Sequence, residues 1–262
     1  MSGLLIVNAD DWGGFQAGTD AIETCFQLGA ISSTTAMVYM ADSKRAAELA
    51  RANRRPTGLH LNLTQGFDAR DVAPQVRERQ RRLRAHFSDL RRRRWRVSPD
   101  IRVHRLVADG IRDQLEEFRE RYRGEPTHID SHHHVHVCPD VFLSSALAPG
   151  LRVRQTLSPP PTVARRNPVW SLKRELLAWR FITTARFWRA RETSGGEESV
   201  PIEVVAALAR DRPVEVMVHP SFSEENRMLR SDAWLDCLGR APLGPYSALL
   251  PHPKMSMSPK GS

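Results

Sequence analysis

The sequence predicts a parallel α/β fold, an open sheet or a barrel, on three observations. Short β-like runs alternate with helical patterns along the chain. A chain of 262 residues is long enough to bury a large core between such layers. The residues best suited to chemistry stand where the β-like runs end, which is where parallel α/β folds place their sites.

Taken in order, the first run is "LLIVN" at 4–8; it ends on Asp10 and Asp11, and a helix near 17–28 follows and stops at Gly29. "TTAMVYM" at 34–40 reads as a second strand and Asp42–Ala52 as a second helix. A third strand, "TGLHLNLT" at 57–64, carries His60. Beyond an arginine-rich segment, a helix near 104–122 puts Ile111, Leu115, Phe118 and Tyr122 on one face. "THIDSHHHVH" at 127–136 comes next, then a β-like "LRVRQ" at 151–155 and a proline-rich connector "SPPPT" at 158–162. The chain continues with a helical pattern near 168–190 bearing Trp170, Trp179 and Trp188, which reads as a packed helix or as a platform for sugar rings or a membrane surface. A short helix from about 201 and the strand "VEVMVH" at 214–219, ending on His219, complete the alternation.

Apolar residues make up 40% of the chain, an ordinary share that excludes wholesale disorder. No run approaches the roughly 18 apolar residues of a membrane span. The opening "MSGLLIVNADDWGG" lacks the basic start and small-residue cleavage site of a secretion signal, so the chain reads as cytoplasmic. Cys25, Cys138 and Cys237 are scattered, which suggests neither a disulfide framework nor a zinc finger. A net charge of +9 raises nucleic acid as a partner, but the charge is local. Between Arg77 and Arg96 ten arginines face only Glu78 and Asp89, a local +8 that leaves +1 for the rest of the chain. Val76, Leu83, Phe87 and Leu90 fall on one helical face of this segment. It therefore reads first as a solvated amphipathic helix, next as a membrane-surface or polyanion contact, and last as a nucleic-acid contact.

Five of the ten histidines lie within residues 128–136. Strand alternation would put His128, Asp130, His132, His134 and His136 on one side of a strand. Imidazoles and carboxylates converging on one pole form a ligand set for a catalytic divalent metal, which would activate water and polarise a carbonyl. The same residues are also compatible with a hydrogen-bonded relay. Gly13, Gly14 and Gly18 make no dinucleotide fingerprint, and the phosphate-loop, His-Glu-x-x-His and Gly-x-Ser-x-Gly patterns are missing.

"LLIVNADDWG", "SSTTAMV", "GLHLNLT", "PTHIDSHHHVH" and "VEVMVHPS" resemble, in order and spacing, the motifs of the YdjC-type carbohydrate deacetylases, the family of chitooligosaccharide deacetylase and the hopanoid-associated deacetylases. The resemblance implies a single-domain (β/α) barrel-like fold related to polysaccharide deacetylases. It also implies metal-dependent removal of acetyl groups from an N-acetylated sugar, either an oligosaccharide or a lipid-linked amino sugar. On the matching positions, Asp11, His60 and His132 would hold one divalent metal ion, zinc or magnesium. Asp10 would be the base and His219 the acid, with Asp130 and His136 fixing the orientation of the ligands. The expected domain covers 1–245, with the arginine-rich insertion at about 70–100 and a disordered tail at 246–262. A homodimer is compatible with this reading. "DDWG" stands where the family has Asp-Asp-Phe-Gly. Two other readings of the same residues are a metal-dependent hydrolase of another amide or a phosphoester, and a basic nucleic-acid-binding protein with a structural metal.

Overall fold

The computed structural model describes residues 3–156, 168–184, 186–189 and 201–250. Six strands form one sheet in the order β4-β3-β2-β1-β6-β5, with every neighbouring pair parallel. The strands are β1 (Leu4–Trp12), β2 (Ser33–Ala36), β3 (Thr57–Leu61), β4 (Ile129–Ser131), β5 (Arg186–Arg189) and β6 (Pro213–Val218). The two edges approach each other through short extra pairings. Ile129 bridges to Val153, and Arg152 bridges to Ile182, four residues before β5 begins. The chain from 182 to 189 thus pairs with one edge at its start and with β6 at its end, which curls the sheet into a (β/α) barrel-like single domain.

The helices are α1 (Gln16–Gln27), α2 (Ser43–Ala52), α3 (Pro74–His86), α4 (Leu90–Arg93), α5 (Ile101–Tyr122), α6 (Pro139–Phe142), α7 (Pro168–Arg180), α8 (Ile202–Leu208), α9 (Ser223–Leu229) and α10 (Asp232–Gly239). α1 ends as expected at Leu28 and Gly29, whose φ of 70° closes the turn without the strain a side chain would bring. Most of the apolar core lies between sheet and helices. Leu5, Val7 and Ala9 of β1 pack there with Ile22, Ile111, Leu115 and Phe118. The alternate residues Leu4 and Ile6 instead join Tyr246 and Leu249 in a second cluster.

Several expectations are corrected here. The helical pattern of 168–190 stops at Arg180, and β5 follows; β-branched Thr183 and Thr184 and the pair Phe187–Trp188 favour extended chain. Trp188 is consequently a buried strand residue and Trp179 a helix residue 84% exposed. Trp170 lies in α7, with its side chain outside the described residues. The arginine-rich segment is two helices, broken at Phe87–Asp89, where the Arg93 guanidinium caps the His86 carbonyl at 3.2 Å. Leu83 and Phe87 are buried as the pattern predicts, while Val76 and Leu90 are half-buried. Residues 246–250 are packed chain and not the start of a tail, since Tyr246 and Leu249 are buried. The connector at 158–162 and residues 251–262 lie outside the described residues.

Candidate metal centre

Strand β1 sets the site by alternation and its interruption. Even-numbered residues point into the barrel, from apolar Leu4 and Ile6 at one end to Asn8 and Asp10 at the other. The register with β2 then shifts between Ala9 and Trp12, and Asp11 takes a left-handed φ of 69°. A non-glycine residue there is strained. The consequence is that neighbouring aspartates separate: Asp10 is buried in the barrel and Asp11 stands at its rim. Trp12, in the position of the family's phenylalanine, is buried and donates its indole N–H to the Ala46 carbonyl at 3.1 Å.

At the rim the Asp11 Oδ1 lies 3.3 Å from His60 Nε2 and 3.4 Å from His132 Nδ1. That oxygen is buried and has no hydrogen-bond partner among the described atoms. Four-coordinate zinc with bonds of about 2.0–2.1 Å sets neighbouring donors about 3.3 Å apart. The three residues therefore fit a small divalent cation in both spacing and donor chemistry. On the far side of His60, Nδ1 bonds Asp130 Oδ1 at 2.7 Å, which fixes the ring and presents Nε2 to Asp11. A second candidate set, Asp10, His60 and Asp130, also converges. It fits a metal less well, because Arg154 already occupies its carboxylates.

Arg154 is fully buried beneath the rim. Its guanidinium donates to both oxygens of Asp10 at 2.7 and 2.6 Å, pairs with Asp130 at 2.8 Å, and reaches Glu215 Oε1 at 2.7 Å. The Tyr246 hydroxyl donates to the other Glu215 oxygen. Burial would raise the pKa of Asp10, but Arg154 outweighs it and holds the carboxyl far below the usual range. Glu215 stays pushed up at about 7 by burial, against the pull of Arg154 and Tyr246. Burial alone would lower His60, yet Asp130, Asp10 and Asp11 around it hold its pKa at about 9. Positive charge is thus favoured at the top of the barrel.

The histidine run does not continue β4 as the alternation predicts. The strand ends at Ser131, and His132–Val137 form a tight turn in which His133 and His134 take left-handed φ values of 55° and 56°. Only His132 reaches Asp11. His133 Nδ1 bonds Thr64 at 3.0 Å, and the His134 ring stands edge-on to Phe187. His136 bonds Ser131 Oγ through Nδ1 at 2.7 Å, and the same oxygen accepts its backbone N–H at 2.8 Å. It thereby pins the turn that carries His132 and touches no ligand directly in the hydrogen bonds described. His128 stacks on Tyr246 with 3.6 Å between ring centroids. Burial and Arg154 push His136 down to about 3, so it is neutral.

His219, at the end of β6, donates its backbone N–H to Glu225 at 2.6 Å and holds Nδ1 3.9 Å from that carboxylate. It lines a cleft of about 420 Å³ together with Asp10, His60, His132, Arg94 and Arg189. Arg154, Glu215 and Tyr246 are absent from the sequence-level reading. Two had a signal: Arg154 and Glu215 are charges inside the apolar β-like runs "LRVRQ" and "VEVMV", where a charge must point into a polar interior. Tyr246 had none, because nothing local distinguishes it from a tail residue.

A family model described as YdjC-like protein matches residues 4–240. Carbohydrate deacetylases of Mus musculus and Homo sapiens are 34% and 36% identical over 154 residues, 56% of this chain and 48% and 46% of theirs. A chitooligosaccharide deacetylase of Yersinia pestis is 36% identical over 144 residues, 54% of each chain. These matches span about half the length of the curated relatives. A crystal structure from Enterococcus faecalis V583, described as that of a candidate cellobiose-phosphate cleavage protein, superimposes with a TM-score of 0.67 at 20% identity, covering 95% of this chain and 99% of that one. At that identity the likeness speaks for the fold alone.

Proposed function

The chain belongs to the YdjC-like family, and on that premise we propose that it is a metal-dependent hydrolase that removes acetyl groups from an N-acetylated sugar. The observation that carries the reading is the convergence of Asp11, His60 and His132, two of which, His60 and His132, line one cleft together with Asp10 and His219. Asp11, His60 and His132 would hold the ion, zinc or magnesium, with the donor spacing favouring zinc. When bound, it supplies Lewis-acid polarisation of the acetamide and lowers the pKa of water.

The chain's own residues supply the rest. Burial works against the charge of Asp10, but Arg154 favours the ionised carboxylate and holds it rigid with two N–H groups, so it accepts the water's proton by position rather than by strong basicity. His219 gives a proton to the sugar nitrogen, without which an amine leaves poorly. Glu225 orients it through the backbone contact and the nearby carboxylate. Asp130 keeps the tautomer of His60 that leaves Nε2 free as a donor atom.

Acetate release from N-acetylated sugars, from the monosaccharide through chitooligosaccharides to lipid-linked forms, tests the proposal. Release abolished by a chelator is expected from at least one of them. Cleavage of a phosphoester or another amide, with no acetate from any sugar by metal-loaded protein, would overturn it. Asp11→Asn should lose metal and activity together. Asp10→Asn should lose activity and keep its metal, and the reverse pattern would exchange their roles.

A further inference from the structure

Helix α7 exposes an apolar stripe that the site does not use. Leu172, Leu176 and Trp179 are 56%, 40% and 84% exposed. At 100° per residue they fall within an arc of about 60°. The face next to it carries Lys173 and Leu177, both buried. Single exposed apolar residues need no explanation, but a stripe at i, i+4 and i+7 does.

What lies beside the stripe identifies its occupant. The Lys173 ammonium donates to the Arg94 carbonyl and sits 4.8 Å above the ring of Trp95, which is itself 43% exposed. These contacts fasten α7 to the run Arg91–Arg96, five arginines without an acidic residue among them. Arg96 and Val97 are exposed next to Trp95. Arg94 of the same run and Leu90 just before it also line the cleft, so the basic, apolar surface reaches the candidate active site. A partner protein could match the leucines, and a nucleic acid could match the arginines. A bilayer rich in anionic lipid matches both: headgroups for the exposed Arg96 and the positive charge of its run, and an interface into which two leucines and a tryptophan insert.

We propose that α7 and the arginine run dock this protein on an anionic membrane surface. The docking stands apart from the deacetylase reading.

The test is co-sedimentation of the full chain with vesicles of phosphatidylcholine, with and without about one-third phosphatidylglycerol. Binding is expected only with phosphatidylglycerol, weaker in high salt, with a blue shift of tryptophan emission. Trp179→Ser alone, and Leu172→Ser with Leu176→Ser, should each weaken binding by about tenfold while the fold is unchanged by circular dichroism, because these side chains are outside the core. Arg96→Glu should weaken it as well. No binding to the anionic vesicles overturns the proposal. So does binding untouched by the apolar substitutions, or a stable dimer that already shields Trp179 from a soluble quencher, or RNA competing the protein off the vesicles. Acetate release from soluble sugars is measured separately. Failure of docking with release intact removes only the surface, and docking without release from any sugar removes only the deacetylase reading.

Discussion

Asp130 shows how a residue outside the Asp11–His60–His132 group governs one inside it. Its carboxylate fixes His60 on one side and Arg154 on the other, so Asp130→Asn should weaken metal binding by about 10- to 100-fold, measured by competition with a chromophoric chelator. An unchanged affinity would mean that His60 is oriented by its packing alone. Gly58 makes a parallel point. A Cβ there would lie 2.4 Å from His128 Nδ1 and 2.7 Å from its carbonyl oxygen, and backbone cannot move aside. Gly58→Ala should therefore push β3 off β4 and displace His60 two residues on, with lowered thermal stability and lost metal together. At this scale the sequence was informative where a residue type carries its own chemistry. Asp11, His60 and His132 meet as the motifs suggest, whereas His134 lines the cleft without joining that group and His136 turns back onto Ser131, because two left-handed residues end the strand alternation. A backbone reversal of that kind has no signature in the identity of a histidine.

The arginine-rich insertion is held to the barrel by specific contacts and not by apolar burial alone. Asp140 of α6 accepts from His86 of α3 at 3.1 Å and from the Ser98 amide at 2.7 Å. Burial would raise its pKa, but these donors hold it below the usual carboxylate value. A depressed folded pKa means stability present above the unfolded value, near 3.9, and lost as pH falls below it. Asp140→Asn should cost about 1–3 kcal/mol at neutral pH by urea unfolding, with the gap to wild type closing towards pH 3. A gap constant across that range would show that shape, not charge, does the holding. Arg79 and Asp113 make a second tie, from α3 to α5. Elements with a strong period are legible in the sequence, α1 and α2 to within a residue and α5 to within three at its start. The segment 182–189 is not, because Arg and Trp at mixed spacing satisfy a helical pattern as well as a strand; its pairing with distant β6 decides the matter.

At the scale of the molecule, the barrel interior is sorted along its axis, with an apolar floor of Leu4, Ile6, Tyr246 and Leu249 beneath a charged centre and a rim of ligands. Tyr246→Phe removes the donor to Glu215 and should cost about 1.5–3 kcal/mol, with less effect on metal affinity than Asp130→Asn. Half of the floor, Tyr246 and Leu249, comes from far along the chain, which is why a local reading takes these two for tail. Closure of the barrel carries a further consequence. Between β4 and the chain at 182 the wall is held by a few hydrogen bonds around Val153 and Ile182, not by a full ladder. This is a seam, and Arg154 sits on it with its side chain bolted across the interior to carboxylates on β1, β4 and β6. The amides of Val153 and Ile182 should exchange with deuterium well before those of Val7 and Val216, and Arg154→Met should quicken them further. The ion network that serves the site is thus also the latch of the wall around it. Opening of the seam would therefore loosen Asp10, which Arg154 holds.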